Sequence, residues 1–161
     1  MGVRMIYYRG NNQKVIEAVR LANLILQDDS ELYARIIARE SFHNTKATPA
    51  AIAKSMKTVF KTEVTEVRLY WSWWWSSAIG YFDAKKPNQV NTSKRYVNRK
   101  STDVFELASH FVHEFVHKVD YHDADRVFGH AFRHHSKRHE SAPYWIGYMA
   151  GYLLKKHYSV A

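Results

Sequence analysis

The feature that most constrains this chain is the segment His113-Glu114-Phe115-Val116-His117, an HExxH motif. On an α-helix, residues four apart lie one above the other, so both imidazoles can reach one ion. Glu114 then lies close enough to a water on that ion to take its proton. Two nitrogen ligands and a general base are parts of a catalytic zinc site, which needs a third ligand from further along. A structural zinc would have four protein ligands and no use for the glutamate.

The residues around the motif predict the helix that it requires. Asp103 is a suitable N-cap, with Glu106 three residues on to complete a capping box. Apolar residues then recur at steps of three and four: Val104, Leu107, Ala108, Phe111, Val112, Phe115, Val116 and Val119. This pattern places both histidines at the edge of an apolar stripe, facing a cleft. A basic helix that carries histidines by chance is the alternative, but the glutamate, the spacing and the helix together favour a metal site.

The C-terminal third resembles the small phage-type HExxH metallopeptidases, which are metzincin-like zincins. The matching residues are His113 to His117, then Tyr121-His122-Asp123, then Ser141-Ala142-Pro143-Tyr144 ahead of Gly147. The HExxH part is specific, the S-x-P-Y part is a weaker signal, and the rest of the chain matches only in layout. The resemblance implies a zincin-like fold, one zinc ion and hydrolysis of peptide bonds.

The resemblance also implies a third ligand and a second catalytic residue. Metzincins read HExxHxxGxxH, or end in Asp, and that last position is Asp123 here. Asp120 stands at the glycine position, a departure from the pattern, although Asp enters the left-handed region at tolerable cost. His122 would replace Asp123 if the turn differed by one residue, and Glu140 on a later helix is a further alternative. Tyr144 takes the place of a tyrosine that leans toward the zinc from a turn beneath it.

Length and composition set the remaining bounds. We expect residues 1–161 to form a single domain, large enough to bury one core. Because cysteine is absent, the chain has neither disulfides nor thiolate ligands. The start has no signal-peptide pattern, and the longest apolar segment, 144–154, is too short to span a membrane and predicts a core helix. We therefore expect a monomer without a membrane partner, in the cytoplasm, or in the virion if a phage encodes it.

The formal net charge of +9 raises the question of nucleic-acid binding. Between Asp83 and Asp103, six basic residues occur without an acidic one: Lys85, Lys86, Lys94, Arg95, Arg99 and Lys100. Such a run can contact phosphates. More often it is a solvated loop or edge strand on which lysines discourage sheet association. Nucleic acid therefore remains a possible partner, but a peptide or protein substrate is favoured.

The periodicity of the whole chain predicts an α+β fold. We expect a small mixed β-sheet of three to five strands packed on N-terminal helices, the metal-bearing HExxH helix and a C-terminal helix. The predicted strands are 3–9, 63–75, 78–83 and 89–93, and the predicted helices include one from Asn12 to about Gln27 and one from Thr48-Pro49. Residues 31–39 are ambiguous, with a lean toward helix. Gly147 and Gly151, four apart on the last helix, indicate close helix packing.

Two clusters of unusual composition allow more than one interpretation. Four tryptophans fall in residues 71–75, and alternation predicts Trp71, Trp73 and Trp75 in the core, with Trp74 left open. An aromatic wall for a substrate or partner is the functional alternative. Eight of the ten histidines lie between positions 110 and 139. Most of these are expected on a basic surface loop, and a second metal is not favoured.

The motif therefore predicts a zinc-dependent metallopeptidase that binds zinc through His113, His117 and Asp123, with Glu114 as the general base. An extended substrate would add to the sheet edge nearest the metal. One alternative is a zinc endoribonuclease of the HxxxHxxGxxH type, which the positive charge would suit but which has no glutamate after its first histidine. Another is a non-catalytic binding module that holds a metal only to fold.

Overall fold

Six helices and four strands make up the part of the chain that this computed structural model describes, residues 4–27, 29–43, 45–73, 79–122 and 139–158. In chain order they are β1 (Met5–Tyr7), α1 (Gln13–Ile25), α2 (Glu31–Ile37), α3 (Pro49–Thr62), β2 (Thr65–Tyr70), β3 (Gly80–Phe82), β4 (Gln89–Ser93), α4 (Lys94–Val97), α5 (Val104–His122) and α6 (Ala142–Tyr158). The predicted α+β class is confirmed, and residues 31–37 are helical. Within these ranges no helix is both long and apolar enough to cross a membrane.

The four strands form one mixed sheet in the order β1-β2-β4-β3. β1, β2 and β4 run parallel, with Val67 opposite Val90 in the register of the central pair. β3 runs antiparallel to β4, with Tyr81 opposite Asn91, and is the last strand of the sheet within the described ranges. Both β3 and β4 contact α5. The sheet therefore presents its antiparallel edge beside the helix that carries the HExxH motif.

Side-chain caps fix the beginnings of three helices at the predicted residues. Asn12 and Thr48 each accept a hydrogen bond from the backbone N–H three residues on, at 3.3 and 3.2 Å. Asp103 accepts from the backbone N–H of Glu106 at 2.7 Å. Each cap satisfies one of the N–H groups that a helix N-terminus leaves without a partner. Local sequence therefore determines where α1, α3 and α5 begin.

α5 is the central element of the core. It contacts α1, α3 and α6 as well as the sheet. Its predicted apolar stripe is fully buried at Leu107, Ala108, Phe111, Val112, Phe115, Val116 and Val119. Because helices on several sides cover this stripe, the orientation of α5 about its own axis is fixed. That orientation decides which way its polar residues face.

Lys118 is a fully buried cation on α5. Its Nζ donates to the Val64 carbonyl at 3.0 Å and to Thr65 Oγ1 at 3.1 Å, and lies 3.3 Å from Oε2 of Glu63. Desolvation by burial lowers its pKa, an effect that the Glu63 carboxylate opposes. These contacts join the last turns of α5 to the start of β2. They hold the C-terminal half of the motif helix in place against the sheet.

The crossing of α5 and α6 confirms the close packing that the two glycines predicted. A Cβ added at Gly147 would lie 2.9 Å from Cβ of His113, and one added at Gly151 would lie 2.9 Å from Cβ of Ser109. Ser109 Oγ donates to the Gly147 carbonyl at 2.7 Å. The two backbones therefore approach at a distance that a side chain at either glycine would prevent. This contact brings the first turns of α6 directly against His113.

We expect Gly147→Val to lower the free energy of unfolding by about 2–3 kcal/mol, because overpacking a tight contact displaces backbone on both helices. The matched control is Tyr148→Val, which places the same β-branched residue on the exposed face of the same helix. We expect the control to change the free energy of unfolding by less than about 1 kcal/mol. Urea denaturation of both variants measures the difference, and equal losses would contradict the close crossing.

The prediction that Trp71 and Trp73 belong to the core is wrong. Their exposed fractions are 78% and 63%. The alternation is realised at Val67, which is buried, and at Leu69, which packs against the core, but β2 ends at Tyr70. Because the strand ends there, strand alternation no longer determines the direction in which the following rings point. Trp74 and Trp75 lie outside the described residues.

The basic run between Asp83 and Asp103 is solvent-exposed at all six of its lysines and arginines. A solvated surface and a phosphate-binding surface both require this exposure. The side chains lie on the turn before β4, on α4 and on the loop before α5. The exposure therefore leaves both interpretations open, and the solvated surface stays the favoured one.

Candidate functional site

The two histidines of the motif lie on one face of α5. Their ring centroids are 4.9 Å apart, with the ring planes at 74°. Both residues are partly exposed, whereas Val112, Phe115 and Val116 between and beside them are fully buried. The helix continues through the whole motif, and the i,i+4 spacing therefore brings the two imidazoles close together. His113 and His117 thus lie at the edge of the apolar stripe, as predicted.

Glu114 points into the protein and is only 5% exposed. Within the described part of the chain, its carboxylate has one close polar partner, Nδ1 of His110, at 3.8 Å from Oε1. That separation exceeds the length of a hydrogen bond. Because burial disfavours the charged form, the pKa of Glu114 rises to about 8. A buried carboxyl with so little compensation is costly, and such groups are concentrated at functional sites.

The end of β2 lies near the same carboxyl. Burial raises the pKa of Tyr70, and the charges of Tyr81 and Glu114 add to the effect. The Tyr70 and Tyr81 rings meet edge to face, with centroids 5.1 Å apart. Trp71 and Trp73 follow directly and are exposed. Partly exposed and exposed aromatic rings therefore follow one another along the chain at the end of β2.

His110 is a buried residue of the site that the sequence reasoning missed. It lies one turn before Glu114 on α5 and is 6% exposed. Its Nε2 is 3.1 Å from Oγ1 of Thr92 on β4, and its ring meets the Tyr96 ring edge to face. Burial lowers its pKa to about 4, so the imidazole is neutral at physiological pH. The signal that could have found it is its four-residue spacing from Glu114.

Tyr144 lies beside the pair formed by His113 and His117. It belongs to the first turn of α6, and its ring meets the His113 ring edge to face at a centroid distance of 4.6 Å. The centroid of the exposed His139 ring lies 5.9 Å from that of Tyr144. The close crossing at Gly147 fixes this arrangement, because Gly147 is one turn beyond Tyr144. The residue that the resemblance assigned to the neighbourhood of the metal is therefore next to one predicted ligand.

Among the described residues, no third candidate ligand lies beside His113 and His117. Asp123 lies outside the described residues, and for His122, the last residue of α5, only the backbone is described. Glu140 is exposed, and its backbone carbonyl accepts a hydrogen bond from the N–H of His43. Across the described ranges, no three histidine or carboxylate side chains form a group that could hold a metal. Asp123 and His122 thus remain predictions, and Glu140 does not join the pair.

Comparison with known proteins gives no independent identification. No family model, no curated protein and no solved structure matches this chain. The functional interpretation therefore depends on the motif and on the geometry around α5.

Proposed function

We propose that this chain is a zinc-dependent metallopeptidase, metzincin-like in its ligand pattern, that hydrolyses peptide or protein substrates. His113, His117 and Asp123 are the proposed ligands, Glu114 the general base, and Tyr144 a second catalytic residue. The observation that carries the proposal is the placement of Glu114. Its buried carboxyl lies on the turn between two partly exposed imidazoles that share one helix face.

The described residues supply two of the ligands that a catalytic zinc ion would need, and Asp123 is the proposed third. Two imidazoles one helical turn apart are the start of a catalytic site that keeps an open position. A cation beside them would offset the cost of burying the Glu114 carboxylate, which within the described residues has no cation within hydrogen-bonding distance. The chain has no cysteine, so nitrogen and oxygen donors must suffice, and zinc accepts both. When bound, zinc supplies a Lewis acid that activates water and polarises the scissile carbonyl.

Glu114 is the residue suited to move the proton. In this role it accepts a proton from the attacking water and passes it to the leaving amine. In the metal-free protein, burial raises the pKa of this carboxyl, which makes it a stronger base than an exposed glutamate. The helix also holds it rigidly, since its neighbours Phe115 and Val116 are fully buried. A fixed base needs little reorganisation to reach the reacting geometry.

Tyr144 is suited to a hydrogen-bonding role at the same centre. Its ring packs against His113, and the α5–α6 crossing at Gly147 limits its movement. A phenol at this position can donate to the carbonyl oxygen of the substrate as negative charge develops there. Tyr144 can fill this role as a neutral phenol, without losing its proton.

The edge strand β3 gives a place for the substrate backbone. β3 pairs with β4 on one side and is the last strand of the described sheet. It also contacts α5, so a peptide paired with β3 would pass close to the motif helix. Extended peptides commonly add to such edges through main-chain hydrogen bonds. This geometry suits a peptide better than a structured RNA, which offers no such strand.

The test is an assay of the purified, zinc-loaded protein against casein and, separately, against structured RNA. We expect cleavage of casein, loss of activity with a chelator, recovery with added zinc, and an unchanged circular dichroism spectrum throughout. Cleavage of RNA without cleavage of casein would replace the proposal with the endoribonuclease. No cleavage of either, together with unfolding on zinc removal, would support the metal-stabilised binding module.

The choice of third ligand gives a separate prediction. We expect Asp123→Ala to weaken zinc binding on the order of 100-fold or more, because a three-ligand site loses one of its bonds to the metal. His122→Ala, at the neighbouring position, is the matched control and should change the affinity far less. Competition with a chromogenic chelator measures both. The opposite ranking would show that His122 is the ligand and that the six-residue offset does not apply.

A further inference from the structure

We propose that His110 is a positioning residue that holds the Glu114 carboxyl in its working orientation by linking it to Thr92 on β4. The catalytic consequence rests on the proposed function, since Glu114 is there the general base. The link itself is a property of three side chains and can be tested without any activity. Neither the HExxH motif nor the predicted ligand set includes His110 or Thr92.

The geometry places one imidazole between the sheet and the base. Nε2 of His110 is 3.1 Å from Thr92 Oγ1, and Nδ1 is 3.8 Å from Glu114 Oε1. All three side chains are buried. The second separation is longer than a hydrogen bond, so the proposed link requires the Glu114 carboxyl to turn toward Nδ1. The ring thus has a hydrogen-bond partner at Nε2, on β4, and its Nδ1 faces Glu114 on its own helix.

Packing keeps the imidazole from turning away. The ring meets the rings of Tyr96 and Phe111 at centroid distances of 5.5 and 6.0 Å. The backbone of β3 lies directly on its far side, because a Cβ added at Gly80 would overlap Cε1 and Nε2 of His110. Gly80 therefore allows the edge strand to rest on the imidazole. A peptide that paired with β3 would therefore lie next to the strand that packs on the His110 ring.

The chemistry of a neutral imidazole suits this role. Such a ring has one N–H donor and one nitrogen acceptor. With Glu114 ionised, Nδ1–H points to the carboxylate, and Nε2 accepts from the Thr92 hydroxyl. The ionised carboxylate, which can only accept, selects this tautomer, and the Thr92 hydroxyl serves as the second partner that orients the ring, as second partners orient histidines at metal sites. An apolar residue would fill the same space without the cost of burying a polar ring.

The kinetic test compares two substitutions that separate positioning from packing. His110→Leu removes both ring nitrogens and keeps an apolar side chain in a buried site. His110→Asn packs less well but can place an amide N–H near the position of Nδ1. In the zinc-loaded protein we expect His110→Leu to lower kcat on the order of tenfold with KM unchanged, and His110→Asn to recover most of the loss. Zinc affinity should be unchanged in both.

A merely structural role predicts the reverse ranking. His110→Asn would then be the worse variant in both unfolding midpoint and kcat, because it leaves a small polar group in the core. That ranking, or equal kcat values for wild type and His110→Leu, would overturn the proposal. Thr92→Val, which replaces the hydroxyl with a methyl group of similar shape, should lower kcat in the same direction as His110→Leu and by less.

A measurement independent of activity is ¹⁵N NMR of the His110 ring, assigned by the signals missing from His110→Leu. We expect one tautomer to dominate in the wild type, and both Thr92→Val and Glu114→Leu to change the tautomer ratio. A ratio that neither variant changes would overturn the link, whether or not the protein cleaves peptides. A changed ratio in a protein that cleaves no peptide would refute the proposed function and leave the link between the three side chains intact.

Discussion

Glu114→Gln is expected to retain zinc and the native fold while losing nearly all peptide hydrolysis. Glutamine keeps the size and hydrogen-bonding shape of the side chain but cannot accept the proton of the attacking water. Loss of a general base typically costs on the order of 10²- to 10⁴-fold, and we expect the defect in kcat, with KM little changed. The measurement is a peptide-hydrolysis assay beside a zinc determination on the same preparation. A variant that holds zinc and cleaves at the wild-type rate would remove Glu114 from the mechanism.

The same substitution has a stability effect that needs no substrate. Burial raises the pKa of Glu114 from an ordinary 4.5 to about 8, so the native protein without metal binds this proton more tightly than the unfolded chain does. The stability that the proton contributes is complete below pH 4.5 and is lost as the pH rises through about 8. Glutamine does not ionise. Above pH 8, metal-free Glu114→Gln should therefore unfold at a higher temperature than the metal-free wild type.

His113→Ala and His117→Ala should each abolish stoichiometric zinc binding. Each removes one of two imidazoles whose rings lie 4.9 Å apart, and the remaining histidine with one carboxylate leaves too few ligands for a tight site. The matched control is His157→Ala on α6, an exposed histidine that contacts Glu31 instead. Elemental analysis after dialysis measures the bound zinc. Full occupancy in either motif variant, with the control also full, would contradict the assignment of the ligands.

The features that the sequence predicted correctly depend on neighbours along the chain. Asn12, Thr48 and Asp103 cap helices because each cap is a contact over three residues. The stripe of α5 follows from a helical period that the sequence displays directly. The proximity of His113 and His117 is of the same kind. These parts of the site were predictable because the helix alone creates them.

The features that were missed depend on the ends of strands and on contacts far apart in sequence. Trp71 and Trp73 are exposed because β2 ends at Tyr70, and no residue type marks that end. The role proposed for His110 depends on two contacts with the sheet. Thr92 on β4 lies 3.1 Å from its Nε2, and the backbone of β3 at Gly80 packs against its ring. The spacing of His110 from Glu114 was visible in the sequence. Its partners on the sheet were not.

We propose that one zinc ion per chain makes this protein a peptidase. The most direct measurement is a zinc titration of the chelator-treated protein, followed by hydrolysis of a fluorescence-quenched peptide library. We predict no hydrolysis before zinc is added, a rate that rises linearly with zinc, and a plateau at one equivalent. Hydrolysis that is absent at every zinc concentration, or that does not depend on zinc, would contradict the claim.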